Sequence, residues 1–181
     1  GDVTGAGDTV LAVIAYGIDQ GFSVFESCKM ACYAAARIVE KRGVVTVTKN
    51  DLKPKTVWTN GVFDILHEGH LKLLQFCKSR GEKLVVGINS DDSTKRLKGE
   101  NRPINDVNQR KTNLELLPWV DEVVVFNDDT PRNAINKCNP DLIVKGGDYT
   151  IETVVGHEDF PVEIFPTVQG HSTTKIIEKM K

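Results

Sequence analysis

Two hydrophobic periods divide the chain. From residue 55 onward, short apolar runs alternate with stretches whose apolar residues recur at helical spacing. The runs Lys55–Trp58, Leu84–Ile88, Glu122–Phe126, Asp141–Val144 and Val162–Phe165 predict buried-type strands. Helices are predicted between them. One carries Leu71, Leu73, Leu74, Phe76 and Cys77, and one runs from a cap at Asp91 or Asp92 through Leu97. Another runs from Val107 to Leu117 and stops at Pro118; the next is opened by Thr130-Pro131, with Pro at its first position, and reaches Cys138. Ser172 predicts the cap of a last helix, Thr173 to Met180. Strands alternating with helices over short loops predict an α/β fold built on a doubly wound parallel sheet. Ligands of such sheets sit beyond the carboxyl ends of the strands. The stretches that come after strands in that sense are Thr59–His70, Ser90–Lys98, Gly146–Tyr149 and the Ser172 cap.

Residues 1 to about 50 read differently. Val10, Leu11, Val13 and Ile14 predict a helix from Asp8 to Tyr16, ended by Gly17 and Gly21. Ser23 and Glu26 predict a capping box opening an Ala-rich helix to about Arg42, stopped by Gly43. Val44–Val47 predicts a strand. A piece this small buries too little surface for a core of its own, so it must dock on something. Asn50–Lys55, polar, charged and containing Pro54, is the linker candidate, giving domains at 1–52 and 53–181. The chain opens without Met inside Gly1-Asp2-Val3-Thr4-Gly5-Ala6-Gly7-Asp8, which reads as a piece of a longer protein.

Composition narrows the function classes. At 40% hydrophobic and 27% charged, the 181 residues are those of a globular protein. A net charge of −2 makes no electrostatic case for a nucleic-acid or membrane partner. No run approaches the ~18 apolar residues of a membrane helix, and the N-terminal residues show no signal-peptide pattern. Cys28, Cys32, Cys77 and Cys138 lack CxxC spacing and read as core thiols of a cytoplasmic protein.

The chemistry concentrates at Thr59-Asn60-Gly61-Val62-Phe63-Asp64-Ile65-Leu66-His67-Glu68-Gly69-His70, a strand, a turn and a helix start. The first backbone N–H groups of a helix are free and its dipole is positive there, which attracts phosphate. His67 and His70 add donors at the same place, and Gly69 removes a Cβ where backbone must approach phosphate closely. Transfer of a nucleotidyl group moves negative charge onto a leaving pyrophosphate, and fixed donors that grip it in the transition state lower the barrier. A zinc-protease reading fails because HExxH needs one more residue between the histidines. Lys95, Arg96 and Lys98 fit either a phosphate-facing or a solvated helix face, and Asp64 reads as a buried, hydrogen-bonded carboxylate.

These residues resemble the HxGH nucleotidyltransferases, a Rossmann-like superfamily. Within it, the chain is similar to the adenylyltransferase part of bifunctional heptose-7-phosphate kinase/heptose-1-phosphate adenylyltransferases. The resemblance rests on the 59–70 stretch, Asn89–Gly99, Arg102-Pro103, Gln109-Arg110, Val144–Tyr149 and Gly170–Ile177, with His171 a departure from the pattern. It implies that His67 and His70 bind the ATP phosphates and stabilise the transition state. It also implies that Asn60, Gly61 and Phe63 line the nucleotide site, that Lys95, Arg96 and Arg110 approach phosphates, and that Ser172, Thr173 and Thr174 hold ATP from the last helix. Lys145, Gly146 and Asp148 form a candidate substrate loop. ATP is then a substrate, Mg2+ its companion ion, and the acceptor D-glycero-β-D-manno-heptose 1-phosphate, in surface-polysaccharide precursor synthesis.

Asp2–Asp8 resembles a second signature, that of ribokinase-like sugar kinases. It implies an anion hole at Gly5 and Gly7 and a base at Asp8, consistent with a carboxylate at a helix start. With the sugar-binding part absent, no kinase activity is expected. A cytidylyltransferase acting on glycerol 3-phosphate or another small phosphate ester, and a non-catalytic module docking on a separate kinase, are the rival readings. Partners are small molecules, with a homo-oligomer or docking on the missing kinase part left open.

Overall fold

A computed structural model describes residues 5–40, 46–147 and 149–166. It divides into two compact units, Gly1–Pro54 and Lys55–Lys181.

In the first unit, helix α1 spans Ala6–Asp19 and helix α2 spans Val24–Glu40. Gly17 does not end α1 as the sequence suggests; it lies inside the helix. A Cβ there would come within 2.4 Å of the Ser27 hydroxyl oxygen, so this glycine lets the two helices approach. The stop is Gly21, at φ +85. Its N–H bonds the Ile18 carbonyl and the Phe22 N–H bonds that of Gly17, which satisfies the open end of α1. The Ser23–Glu26 capping box forms: the Ser23 N–H donates to the Glu26 carboxylate at 2.9 Å and the Glu26 N–H to the Ser23 hydroxyl at 3.2 Å. Val13, Ala31 and Ala34 make a small core with Val10, Ile14, Met30, Val47 and Leu52. Of the strand expected over Val44–Val47, Val44 and Val45 lie outside the described residues, and Thr46 and Val47 are not in a strand. Among the described residues this unit has no other strand to pair with, and Val47 packs on the helices instead.

The second unit is a five-stranded sheet, all parallel: β1 (Thr56–Gly61), β2 (Lys83–Asn89), β3 (Glu122–Phe126), β4 (Leu142–Gly146) and β5 (Val162–Phe165). The strand order is β3-β2-β1-β4-β5. The chain winds outward from β1 to β3, then returns to the other side of β1, so the switch point lies between β1 and β4. The helices are α3 (Glu68–Ser79), α4 (Asp91–Lys98), α5 (Val107–Glu115) and α6 (Arg132–Cys138). Alternation along the strands builds one core on each face. Val57, Leu84, Val86, Ile88 and Val144 pack with Leu73 and Leu74 of α3 and Leu114 of α5. Trp58, Val85 and Ile143 pack with Ile135 of α6.

Two boundaries differ from expectation. Ser90, not Asp91 or Asp92, caps α4: its hydroxyl accepts the Ser93 N–H at 3.1 Å, while the Asp91 carboxylate is drawn off to Arg110 and the Val107 N–H. Pro131 stands at the cap of α6, one residue before the helix proper. All four cysteines are free, but only Cys77 is buried; Cys32 is exposed, against the core-thiol reading. No helix among the described residues is long and apolar enough to cross a membrane. The last helix expected from Ser172 lies outside the described residues.

Gly87 faces the ring of the fully buried Trp58, where an added Cβ would sit 2.3 Å from a ring carbon. Gly87→Val should therefore destabilise the sheet by about 2–3 kcal/mol through overpacking. Both tryptophans, Trp58 and Trp119, lie in the second unit, so urea unfolding monitored by tryptophan emission reads this directly. An unchanged midpoint would show that the ring can move aside.

Candidate active site

The site begins where β1 runs out. Gly61 ends the strand, and Phe63 turns the chain with a left-handed φ of +50, rare for a residue with a side chain. Asp64 comes next, almost wholly buried, and its carboxylate is filled by partners from one loop. Arg102 donates to it at 2.9 Å, and the backbone N–H groups of Ile104 and Asn105 at 3.0 and 2.9 Å. The Asn105 side chain returns a bond to the Asp64 carbonyl at 2.6 Å. The structural role expected of Asp64 thus has a specific content: it ties the 102–105 loop to the elbow.

His67 caps α3 and His70 lies in its first turn. Their rings stack, with centroids 3.8 Å apart and planes at 21°, and Phe63 closes on His70 at 5.0 Å. Burial pushes the His70 pKa down to about 4, the neighbouring His67 adds to the shift, and the Ile65 backbone opposes it. At neutral pH His70 is therefore an uncharged imidazole with one N–H to donate. An anion arriving at the α3 N-terminus meets backbone N–H groups, the helix dipole and this ring together.

A cleft of about 590 Å³ opens at the switch point. Asn60, Gly61, Phe63, His67, Gly69 and His70 line one side, and Lys145 and Gly146 from the end of β4 line another, as the sequence suggests. Lys145 donates to the Asn60 carbonyl at 2.7 Å, and its ammonium lies 5.1 Å from the centre of the Tyr149 ring. Burial, and then the charge of Lys98, lower its pKa to about 8. Lys98 and Tyr149, from the two other stretches expected at the carboxyl ends of strands, also line the cleft, together with Arg102 and Asp129, to which the sequence assigned no role in the site.

Other expected residues fall elsewhere. Arg110 does not reach the cleft. Its guanidinium is fully enclosed, donating to the carbonyls of Asn105 at 3.0 Å and Val62 at 2.8 Å and to the Asp91 carboxylate at 2.8 Å. Enclosure and three satisfied directions make it a brace rather than a phosphate hand. Lys95 and Arg96 are exposed on α4 and do not line the cleft. Arg96 pairs with Asp129 at 2.7 Å and bonds the Asn127 carbonyl. From that helix it is Leu97 and Lys98 that border the cavity. Helical spacing marked a basic face on α4, but only packing shows which part of it meets the cleft. Asp148, Ser172, Thr173 and Thr174 lie outside the described residues. In the other unit, Gly5 takes φ +80 at the cap of α1, with Gly7 and Asp8 exposed in the first turn.

The carboxylates beside the cleft are already engaged: Asp64 by Arg102 and Asp129 by Arg96. Among the described residues no cluster of His, Cys, Asp and Glu could hold a metal ion.

Two measurements test this arrangement. The imidazole resonances of His70 should titrate near pH 4 in the ligand-free chain. Because the folded pKa lies below the ordinary 6.5, the associated stability is complete above pH 6.5. It is lost as pH falls toward 4, by about 3 kcal/mol in all. A midpoint near 6.5 would mean that the ring is solvated. Arg110→Ala should cost about 2–4 kcal/mol in urea unfolding, because it leaves a cavity and takes the donor from two carbonyls, while Asp91 keeps partial solvent and the Val107 N–H; a loss below 1 kcal/mol would contradict the brace.

The chain also has recognisable relatives. The cytidylyltransferase-like family model matches residues 58–179, and the pfkB family carbohydrate kinase model matches residues 1–51. Bifunctional protein HldE of Campylobacter jejuni (strain 81116) is 42% identical over 206 aligned positions, covering 99% of this chain and 45% of the relative. The HldE proteins of Sulfurimonas denitrificans and Haemophilus influenzae (strain PittGG) are 43% and 41% identical with the same coverage. The chain thus spans about half the length of the curated relatives it matches. A solved structure, the lipopolysaccharide core biosynthesis protein from Thermoplasma volcanium GSS1, superposes with a TM-score of 0.54 at 29% identity, over 66% of this chain and all of that one. With more than half of its residues matched by the first model, the chain belongs to the cytidylyltransferase-like family, a family of nucleotidyltransferases.

Proposed function

We propose that this chain transfers AMP from ATP to D-glycero-β-D-manno-heptose 1-phosphate, giving ADP-heptose and pyrophosphate. The observation that carries the reading is the stacked, half-buried histidine pair at the α3 N-terminus, facing the cleft between β1 and β4. The choice of sugar rests on the motif resemblance carried by residues 59–70, 144–149 and 170–177, and the lipopolysaccharide title of the solved relative supports a role in surface-polysaccharide precursor synthesis. ATP would enter with Mg2+, which would offset the charge of its phosphates. A phosphate oxygen of the sugar 1-phosphate attacks the α-phosphorus. The new P–O bond forms as the bond to the bridging oxygen of the β-phosphate breaks, and that electron pair leaves with pyrophosphate. Charge grows on the leaving group, where the α3 N–H groups and the two imidazoles meet it. No covalent enzyme intermediate is needed, because the protein positions and neutralises. The reading places the chain in the cytoplasm, where ATP and sugar phosphates are found.

In this reading residues 1–52 are the end of a ribokinase-like sugar kinase domain, with Gly5, Gly7 and Asp8 its anion hole and base, and 53–181 the transferase. Described residues of the first unit supply two helices and a 3-10 turn but no sheet, so no sugar-kinase turnover is expected from it alone. Leu11, Phe22, Val24 and Phe25 are exposed on or beside those helices, which favours docking on further kinase sequence as a companion role.

Pyrophosphate release with ATP and heptose 1-phosphate tests the assignment. His67→Ala and His70→Ala should each lower kcat by about 100-fold or more while leaving the urea midpoint nearly in place. Turnover only with CTP and glycerol 3-phosphate would replace this reading with a cytidylyltransferase one. Equal losses of activity and stability would remove the histidines from the chemistry.

A further inference from the structure

The elbow holds a conformation that its own residues disfavour. Phe63 sits at φ +50, in the left-handed region, where a bulky side chain is strained. Such a backbone persists only where its surroundings over-determine it. Here both neighbours are clamped. The Val62 carbonyl accepts from the enclosed Arg110 guanidinium at 2.8 Å. The Asp64 carboxylate is held by Arg102 and by the Ile104 and Asn105 N–H groups. The strained turn sends the Phe63 ring back over the end of β1. There the ring, 4% exposed, lies 3.1 Å from where a Cβ on Gly61 would stand, so the glycine leaves room for it. Its centroid is 5.0 Å from that of His70, which itself stacks on His67 at 3.8 Å. A side chain needed only for the core could come from an unstrained position; the outlier points to the site.

Resting on the nucleotidyl-transfer reading above, we propose that Phe63 is a positioning residue of the reaction: its ring keeps the His70 imidazole in register with His67 and screens it from water, so that the leaving phosphates meet a fixed donor. Burial is the largest cause of the low pKa of His70, and the Phe63 ring is one wall of that burial. Charge has a smaller part. On α3 itself His67 pushes in the same direction, while Glu68 and Lys72 pair with each other at 2.6 Å on the exposed side. At the elbow, Asp64 pairs with Arg102. Lys145 on β4, Lys98 on α4 and Asp129 after β3 line the same cleft, and none of them is a cause of the His70 shift. Without the ring, water would reach the imidazole and return it toward the proton equilibrium of a solvated histidine. The imidazole would also lose a wall that limits its rotation. A donor free to turn away is poorly placed for a charge that exists only in the transition state.

Variants at position 63 of the full chain test this by imidazole NMR titration and steady-state kinetics. In Phe63→Gly the left-handed φ is taken without strain, so the ring is lost while the turn and its N–H are kept. The His70 midpoint should rise from about 4 toward 6.5. At neutral pH kcat should fall by about 10-fold or more with KM for ATP changed less than about 3-fold, the pattern of an interaction made in the transition state. The kcat–pH profile should gain a limb between pH 4 and 6.5 that the wild-type chain lacks, because His70 then becomes charged in that range. Phe63→Leu keeps apolar bulk, which guards against a folding failure, and should move the midpoint the same way by less. Phe63→Tyr keeps the ring and should recover most of both properties. A midpoint still near 4 in Phe63→Gly and Phe63→Leu would overturn the proposal, since the ring would not be the screen. A raised midpoint with unchanged kcat would overturn it too, as would a Phe63→Tyr chain no better than Phe63→Gly on both readouts. The titration does not depend on turnover. A wild-type chain that releases no pyrophosphate with any sugar 1-phosphate would remove the positioning role through failure of the transfer reading, while a raised midpoint in Phe63→Gly would still show the screen.

Discussion

A buried guanidinium has no water to fall back on, and in this fold Arg110 is such a group, set between loops. Its charge is out of solvent, so its donors must find oxygen in the protein. They find the Val62 carbonyl at the elbow, the Asn105 carbonyl in the preceding loop and the Asp91 carboxylate at the start of α4. Three segments far apart in sequence are thereby held to one point. Asp64 and Arg102 make a second crossing from the same loop to the same elbow. Moving any one segment would leave a buried charge or carbonyl unpaired, which costs more than the bonds themselves contribute. The elbow that carries Phe63, His67 and His70 is therefore set in place before a ligand arrives. Such preorganisation is what stabilisation of a developing charge requires.

The electrostatics of the cleft depend on that rigidity. Desolvation holds His70 neutral and weakens the hold of Lys145 on its proton, and both effects require that the groups stay out of water. A flexible elbow would let solvent in and return both groups toward their ordinary values. The site combines uncharged donors on one face of the sheet with amines on the other, either side of a switch point where helix and strand ends leave a cavity.

Some of this is legible in the residues and some is not. The five strands appear within one to three residues of their expected bounds because each is a short apolar run, as strands of a parallel sheet covered on both faces tend to be. The capping box at Ser23 and Glu26 is a local rule and forms locally. The misreadings share one cause. Gly17 looks like a helix stop, but it makes room for Ser27 on another helix. Asp91 looks like a cap, but Arg110 claims its carboxylate and Ser90 caps in its stead. Arg110 looks like a phosphate ligand because its charge and motif context are visible while its enclosure is not. In each case a partner distant in sequence decided the role.

The linear order of residues was enough to specify the strand periods and the strand-to-helix elbow with its two histidines on a doubly wound sheet, where the phosphate site is proposed. All of these depend on backbone geometry and near neighbours. Folding in three dimensions was needed to sort the cations that face the cleft from those spent on structure. Arg96 pairs with Asp129 and Arg110 with Asp91, whereas Lys98 and Lys145 border the cavity. All four are simply cations along the chain. What separates them is desolvation and the reach of a carboxylate, and both are properties of the packed protein rather than of the residue.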